Sequence, residues 1–165
     1  GVYRDHGACM PPLHAYLSGI GLETLGVRME RICATALKLA QALEKMPGVR
    51  QAHYPGLASH PDHELAKKQF GGRFGPMLTL RVGSWEDAFS VLNALKYGTI
   101  ASNIGDVRTL VLHPASTIYH EYDREQRLRM GVPDDLIRVS VGLEDADDLV
   151  EDFRNALQTV RRDSE

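Results

Sequence analysis

Little in this chain could staple it covalently: among 165 residues there are two cysteines, Cys9 and Cys33, without CxxC spacing or a matching histidine pair. Neither a disulfide framework nor a zinc site is indicated, and the two thiols read as small apolar residues. Charge of one sign is equally scarce. The chain sets 19 Lys+Arg against 22 Asp+Glu, a net of −3, and its longest basic runs are the pairs Lys67-Lys68 and Arg161-Arg162. Binding a phosphate backbone needs a clustered basic surface, so no nucleic-acid partner is expected. No stretch approaches the ~18 uninterrupted apolar residues of a membrane span, and no basic segment followed by an apolar one opens the chain. A cytoplasmic location without a membrane partner is therefore the default. A GxSxG elbow and a phosphate-binding glycine loop are missing too.

What is present, 43% hydrophobic and 25% charged residues, is the profile of one soluble globular domain. A chain this long buries roughly 70% of the surface its unfolded form exposes, enough to stand without staples. It begins Gly1-Val2-Tyr3-Arg4, with no initiator Met, and enters a helix almost at once. It is expected to be a piece of something longer.

From Leu22 the apolar positions Leu25, Met29, Ile32, Ala36, Leu39 and Leu43 step by three and four, one stripe of a long helix that Pro47-Gly48 stops. Met10-Pro11-Pro12 sets its start near Pro12 or Leu13, and Gly19 and Gly21 predict either a break or a close approach by another segment. Residues 49–54 read as a short strand, 62–70 as a short helix, and 77–82 as a strand with Leu78, Leu80 and Val82 on one face. Ser84 with Asp87 caps a helix whose inward stripe is Trp85, Ala88, Phe89, Leu92 and Leu95. Two short strands follow at 99–104 and 109–112, then a long connection, helical in part over 123–130. Residues 136–143 form the last strand, and Asp145 caps a final helix with Leu149, Phe153, Leu157 and Val160 inward. The fold class expected is α/β: a small mixed, largely antiparallel sheet with helices packed on it and a long N-terminal helix.

Strand alternation sets Ile137, Val139, Val141 and Leu143 on one face, and Arg138, Ser140 and Gly142 on the other. A guanidinium fixed mid-strand presents a rigid fork that suits a carboxylate. Periodicity alone leaves two roles open for Arg138, a structural ion pair with a nearby acid or a carboxylate ligand site. Ser102-Asn103-Ile104-Gly105-Asp106 is a strand end running into a glycine turn, where polar side chains face a ligand or simply tolerate the turn. His113 has no acidic orienter or nucleophile at a useful spacing and reads as structural. His60 and His63 flank Pro61-Asp62 with no third ligand following, so no metal site is expected.

Seven segments, in order, resemble the Cys/Met-metabolism class of pyridoxal-phosphate enzymes, specifically its C-terminal domain. They are Leu22-Glu23-Thr24-Leu25 with Arg28-Met29-Glu30-Arg31, Tyr54-Pro55-Gly56-Leu57, Ser59-His60-Pro61, His63-Glu64-Leu65-Ala66, Asn103-Ile104-Gly105-Asp106, Leu110 through Ser116, and Ile137 through Glu144. The resemblance implies a fold-type I enzyme in which a large cofactor domain, upstream of residue 1, precedes an interdomain helical segment at 1–46 and a C-terminal α/β domain at 47–165. It implies pyridoxal phosphate as cofactor, bound by the missing domain, with no catalytic or cofactor-binding residue in this chain. Lys38, Lys45, Lys67, Lys68 and Lys96 match no Schiff-base motif.

By the same resemblance, Arg138 matches the arginine that grips the substrate's α-carboxylate, Asn103 sits beside that carboxylate, and Ser102 lies near the substrate side chain. Holding the carboxylate orients the amino acid against the cofactor. The segments look most like O-acetylhomoserine or O-succinylhomoserine sulfhydrylases, which replace an activated γ-substituent of homoserine with sulfide or a thiol. Relatives usually have Thr and His where this chain has Ile118 and Tyr119. The alternatives are a γ-lyase, a cystathionine γ-synthase-like enzyme, or a binding or assembly module without catalysis. The isolated chain is expected to be inactive, and the parent enzyme a homo-oligomer, commonly a tetramer.

Overall fold

The computed structural model describes residues 6–7 and 10–162; Cys9 and the start of the chain lie outside the described residues. Helices α1 (Pro12–Glu23) and α2 (Leu25–Leu43) come first. After them run β1 (Gln51–His53), α3 (His63–Phe70), β2 (Met77–Arg81), α4 (Trp85–Ala94), β3 (Thr99–Ile100), β4 (Leu110–Leu112) and a 3-10 turn at Pro114–Ser116. The chain closes with α5 (Arg124–Arg129), β5 (Leu136–Ser140) and α6 (Ala146–Arg162). The architecture is the expected α/β one: a five-stranded sheet in the order β1-β2-β5-β4-β3, antiparallel at every pairing except β3–β4.

The long N-terminal stripe is broken at Thr24, whose φ of −102° and ψ of 2° end α1 and begin α2. Neither glycine is itself a break or a close approach: α1 runs through Gly19 and Gly21, a Cβ at either would meet nothing within 4 Å, and the helix breaks beyond them at Thr24. Helix α1 buries no residue, leaving Leu13, Tyr16, Leu17 and Ile20 exposed. The α2 stripe is covered only from Ile32 onward; Leu25 is exposed and Met29 half-buried.

One face of the sheet is dry. Leu78, Leu80, Val111, Ile137 and Val139 point into a core closed by α2, α4 and α6, where Leu39, Ala88, Leu149 and Phe153 are fully buried. Ser84 caps α4 as the sequence indicates, its hydroxyl accepting from Asp87 N at 3.1 Å. Trp85 and Phe89 leave the predicted inward stripe: they are half-buried, their ring centroids 4.3 and 5.0 Å from that of His113. They pack there because residues 113–134 fold back over part of the other face, in a small cluster of Ala115, Val132 and Leu136 with Trp85 and Tyr119. Register puts Met77, Thr79 and Arg81 beside Ser140, Arg138 and Leu136 on this second face, which the 113–134 segment with α5 partly covers.

Strands are shorter than alternation predicts. The strand expected over 99–104 ends at Ile100, after which local bonds replace the ladder. Asn103 Oδ1 accepts from Ile104 N at 2.9 Å and Asp106 Oδ1 from Arg108 N at 3.0 Å. Short polar side chains compete with strand pairing in this way.

Candidate functional site

Arg138 lies in the middle strand, opposite Thr79 of β2 and Leu112 of β4. With ladder partners on both sides, its Cα–Cβ vector is fixed, and strand parity sends the side chain to the face away from the main core. Among the described residues no carboxylate pairs with it; its one polar contact is Nη2 with the Met77 sulfur at 3.6 Å. The two acids just upstream are occupied elsewhere. Asp135, buried, accepts from Arg81 Nε at 2.9 and 3.2 Å. Asp134 pairs with Arg124 at 2.7 Å and Arg127 at 2.9 Å. The Arg124 hydrogen bond chiefly, with the Arg127 charge added, holds the Asp134 carboxyl below the usual carboxylate range although burial opposes them. The ion-pair role that periodicity left open for Arg138 is therefore not the one the structure displays.

Arg138 instead lines an open cleft of about 370 Å³, with Thr79, Leu136, Ile118 and Tyr119 among its walls. A second cleft of about 470 Å³, bordered by Gln51, His53 and Arg81, shares Thr79 and Leu136 with the first. Together they make a trough across β2 with a guanidinium on its floor. Ile118 and Tyr119, the two departures that the resemblance singles out, both wall the Arg138 cleft. Tyr119 is half-buried and its ring centroid stands 6.0 Å from that of Tyr122.

Asn103 and Ser102 are exposed, in the turn beyond β3 rather than at its end. Asn103 spends its carbonyl on Ile104 N, which leaves its NH2 group free to donate, and Ser102 makes no polar contact among the described residues. What brings this turn toward Arg138 is Ser140, two residues along the same face, whose hydroxyl accepts from Gly105 N at 3.4 Å. Two strand residues span ~7 Å, so the turn sits at the end of the guanidinium's own row. The following limb is tied more firmly. Leu143 N donates to Val107 O at 2.8 Å, and Thr109 donates through N and Oγ1 to Glu144 at 2.6 and 2.8 Å. Gly142 N donates to Thr109 Oγ1 at 3.0 Å. The structure thus brings the turn to the Ser140 end of Arg138's row, with no direct bond between Arg138 and the side chains of Asn103 or Ser102.

The histidines sort themselves by their partners. His113 is buried, its Nε2 2.8 Å from the Asp134 carbonyl and its Nδ1 accepting from Ser116 N at 3.3 Å. A carbonyl only accepts, so Nε2 carries the proton and the ring is a satisfied structural brace, as its sequence context predicts. His63 Nδ1 reaches the Pro55 carbonyl at 2.9 Å. No group of three or more potential metal ligands occurs among the described residues. Sequence reading missed a pair: the Nε2 atoms of His53 and His60 are 3.0 Å apart. Asp62 N donates to His60 Nδ1 at 3.1 Å, so His60 Nε2 bears the hydrogen and His53 Nε2 accepts it. Burial chiefly, and the neighbouring His60, push the His53 pKa below its ordinary value, while Asp62 opposes them.

Met77 was also missed, since nothing in its local pattern marks it; only the β2–β5 register puts it on the Arg138 face. None of the described lysines enters the Arg138 cleft. Lys38 pairs with Asp147 at 2.7 Å, and Lys45, Lys67, Lys68 and Lys96 are exposed. No described helix is long and apolar enough to cross a membrane.

Comparison with known proteins adds the following. The family model for Cys/Met metabolism PLP-dependent enzymes matches residues 2–158. An L-methionine gamma-lyase of Treponema denticola is 44% identical over 161 residues, 97% of this chain and 40% of that protein. An O-succinylhomoserine sulfhydrylase of Pseudomonas aeruginosa is 43% identical over 161 residues, with the same coverage of 97% and 40%. A crystal structure from Campylobacter jejuni, described as an O-acetylhomoserine (thiol)-lyase with a pyridoxyl-lysine monophosphate adduct, superposes with a TM-score of 0.88 at 36% identity. It is matched over 94% of this chain and 37% of its own. The chain thus spans about two fifths of the length of the relatives it matches.

Proposed function

The chain belongs to the Cys/Met metabolism PLP-dependent enzyme family, and on that premise we propose that it is the C-terminal, carboxylate-binding domain of a sulfhydrylase that performs γ-replacement on O-acyl-homoserine with sulfide or a thiol. The observation that carries this reading is a half-buried, strand-fixed guanidinium without an acidic partner, opening onto a cleft. An uncompensated Arg in such a place is a receptor for an anion, and its fork takes a carboxylate through two parallel N–H···O bonds.

In this proposal Arg138 holds the α-carboxylate, the free NH2 of Asn103 donates to it from the strand end, and Ser102 faces the substrate side chain. Clamping that end fixes the rotation of the amino acid about its own axis, which decides the bond presented for reaction. Ile118 and Tyr119 supply an apolar wall that thins the water around the clamp and strengthens it. The described residues do not fit the family's cofactor, because no lysine reaches the cleft. Pyridoxal phosphate, the electron sink of this family's chemistry, is accordingly assigned to a cofactor domain outside this chain. Residues 1–46 are then the interdomain segment and 47–165 the α/β domain, with the bare apolar side of α1 suited to the former role. We further place the whole enzyme in the cytoplasm as a homo-oligomer, and regard the isolated chain as inactive.

A γ-lyase is the second reading, favoured by the 44% identity to a methionine gamma-lyase. Product analysis separates the two. Given O-acetylhomoserine and sulfide, the intact enzyme should yield homocysteine; release of methanethiol and 2-oxobutanoate from methionine would overturn the sulfhydrylase assignment. For the clamp itself, Arg138→Ala should weaken amino-acid binding and turnover while leaving cofactor absorbance intact, and Arg138→Lys should also be poor because a point charge lacks the second prong. Unchanged kinetics would refute the role.

A further inference from the structure

We propose that Met77 is a positioning residue for the Arg138 guanidinium, a neutral thioether that aims one arm of the fork without cancelling its charge. The inference rests on the carboxylate role proposed for Arg138 and asks what prepares that group to receive a substrate.

Register supplies the first part of the argument. Thr79 lies opposite Arg138 and Met77 opposite Ser140, so Met77 is the diagonal neighbour of Arg138 on the face away from the main core. Its sulfur is 3.6 Å from Arg138 Nη2. Chemistry supplies the second. A thioether is a weak, uncharged acceptor, so it orients an N–H at little cost and yields easily to a carboxylate. Hydrocarbon at the same place would leave Nη2 against an apolar surface, and a carboxylate there would occupy the fork before substrate arrived. Surroundings supply the third. The acids that could neutralise Arg138, Asp134 and Asp135, are engaged by Arg124, Arg127 and Arg81. Met77 is the one polar contact left to the guanidinium among the described residues, and the other N–H groups stay open.

The test uses the intact holoenzyme with Met77→Glu, Met77→Leu and Arg138→Ala, measuring KM for the amino-acid substrate and the inhibition constant of the matching amine that lacks the carboxylate. Met77→Glu should raise KM roughly tenfold to a hundredfold, the span of a charge-assisted hydrogen bond, with cofactor absorbance at the parental value. Met77→Leu, which keeps volume and apolar character, should raise KM by roughly twofold to tenfold. In both, the amine should bind as it does to the parent enzyme. Parental KM in both variants, or equal losses for the amine and the amino acid, would overturn the proposal by showing no role or a packing role. If Arg138→Ala also keeps parental KM, the carboxylate reading itself fails; if only the Met77 variants are silent, that reading stands and Met77 is dismissed.

Discussion

Gly142→Ala perturbs the seam between the last strand's extension and the 107–109 limb, because a Cβ there would overlap the Arg108 backbone carbon and meet Val107 O at 2.5 Å and Glu144 Oε2 at 2.6 Å. Two of these neighbours are backbone and cannot swing aside. The φ of Gly142 is not in the left-handed region, so the penalty is one of space rather than of strain. To admit a methyl group, the 107–109 limb must leave β5. Four hydrogen bonds stand in the way: Leu143 N to Val107 O, Gly142 N to Thr109 Oγ1, and the two from Thr109 to Glu144. Overpacking costs about 1–3 kcal/mol, and the bonds to the Glu144 carboxylate about 1.5–3 kcal/mol each; relaxation trades one loss against the other, so the expected total is about 3–5 kcal/mol. Urea denaturation of parent and variant measures it, and amide exchange over 102–109 should quicken in step. A loss below about 1 kcal/mol with unchanged exchange would refute the claim that this contact holds the turn.

Three further outcomes follow from other places. Asp152 is buried and accepts from Lys96 N at 3.0 Å and Tyr97 N at 2.9 Å just past α4; Asp152→Ala strips both amides and should cost about 2–4 kcal/mol by thermal or urea unfolding. Arg81→Leu leaves the Asp135 carboxylate buried without its partner and should cost about 2–3 kcal/mol, most of it regained by adding Asp135→Asn, as a double-mutant cycle would record. For His53 the folded pKa is lowered, chiefly by burial, so the unfolded chain binds the proton more readily. Its contribution to stability is whole above the ordinary imidazole value and is lost as pH falls through that value toward the folded one. A histidine proton titration by NMR should place His53 below the ordinary imidazole value, and His53→Gln should flatten the acid limb of the stability profile.

How much of this was legible beforehand depends on the range of the interaction. Period-two and period-3.6 patterns depend on neighbours in sequence, so the faces of β2 and β5, the Ser84 cap and the inward row of α6 could all be read. The parity of Arg138 was read in the same way, and the role proposed for it comes from ordered motif resemblance. What could not be read was set by contacts across the sheet or by local competition. The early end of β3 depends on side chains of Asn103 and Asp106 folding back onto their own backbone. The diversion of Trp85 and Phe89 to His113 depends on where a distant loop returns. Asp134 and Asp135, close to Arg138 in sequence, looked able to neutralise it, and only three arginines from other positions reveal otherwise. One signal was available and passed over: Asp123 and Gln126 spell a capping box, which the structure completes at α5.

Because β5 shows hydrocarbon to one side and its guanidinium to the other, grip and architecture share five consecutive codons. Deleting a single one would turn the ribbon over, driving a cation among leucines and spilling Ile137 and Val139 into solvent. Such a lesion abolishes folding before it can retune chemistry, so the strand is closed to experiment by length. The loop at 102–106 is different: its own bond to the strand is the one from Gly105 N to the Ser140 hydroxyl at 3.4 Å, so a change of length there shifts no strand parity. Variation in length therefore belongs to the loop, with the sheet left unaltered.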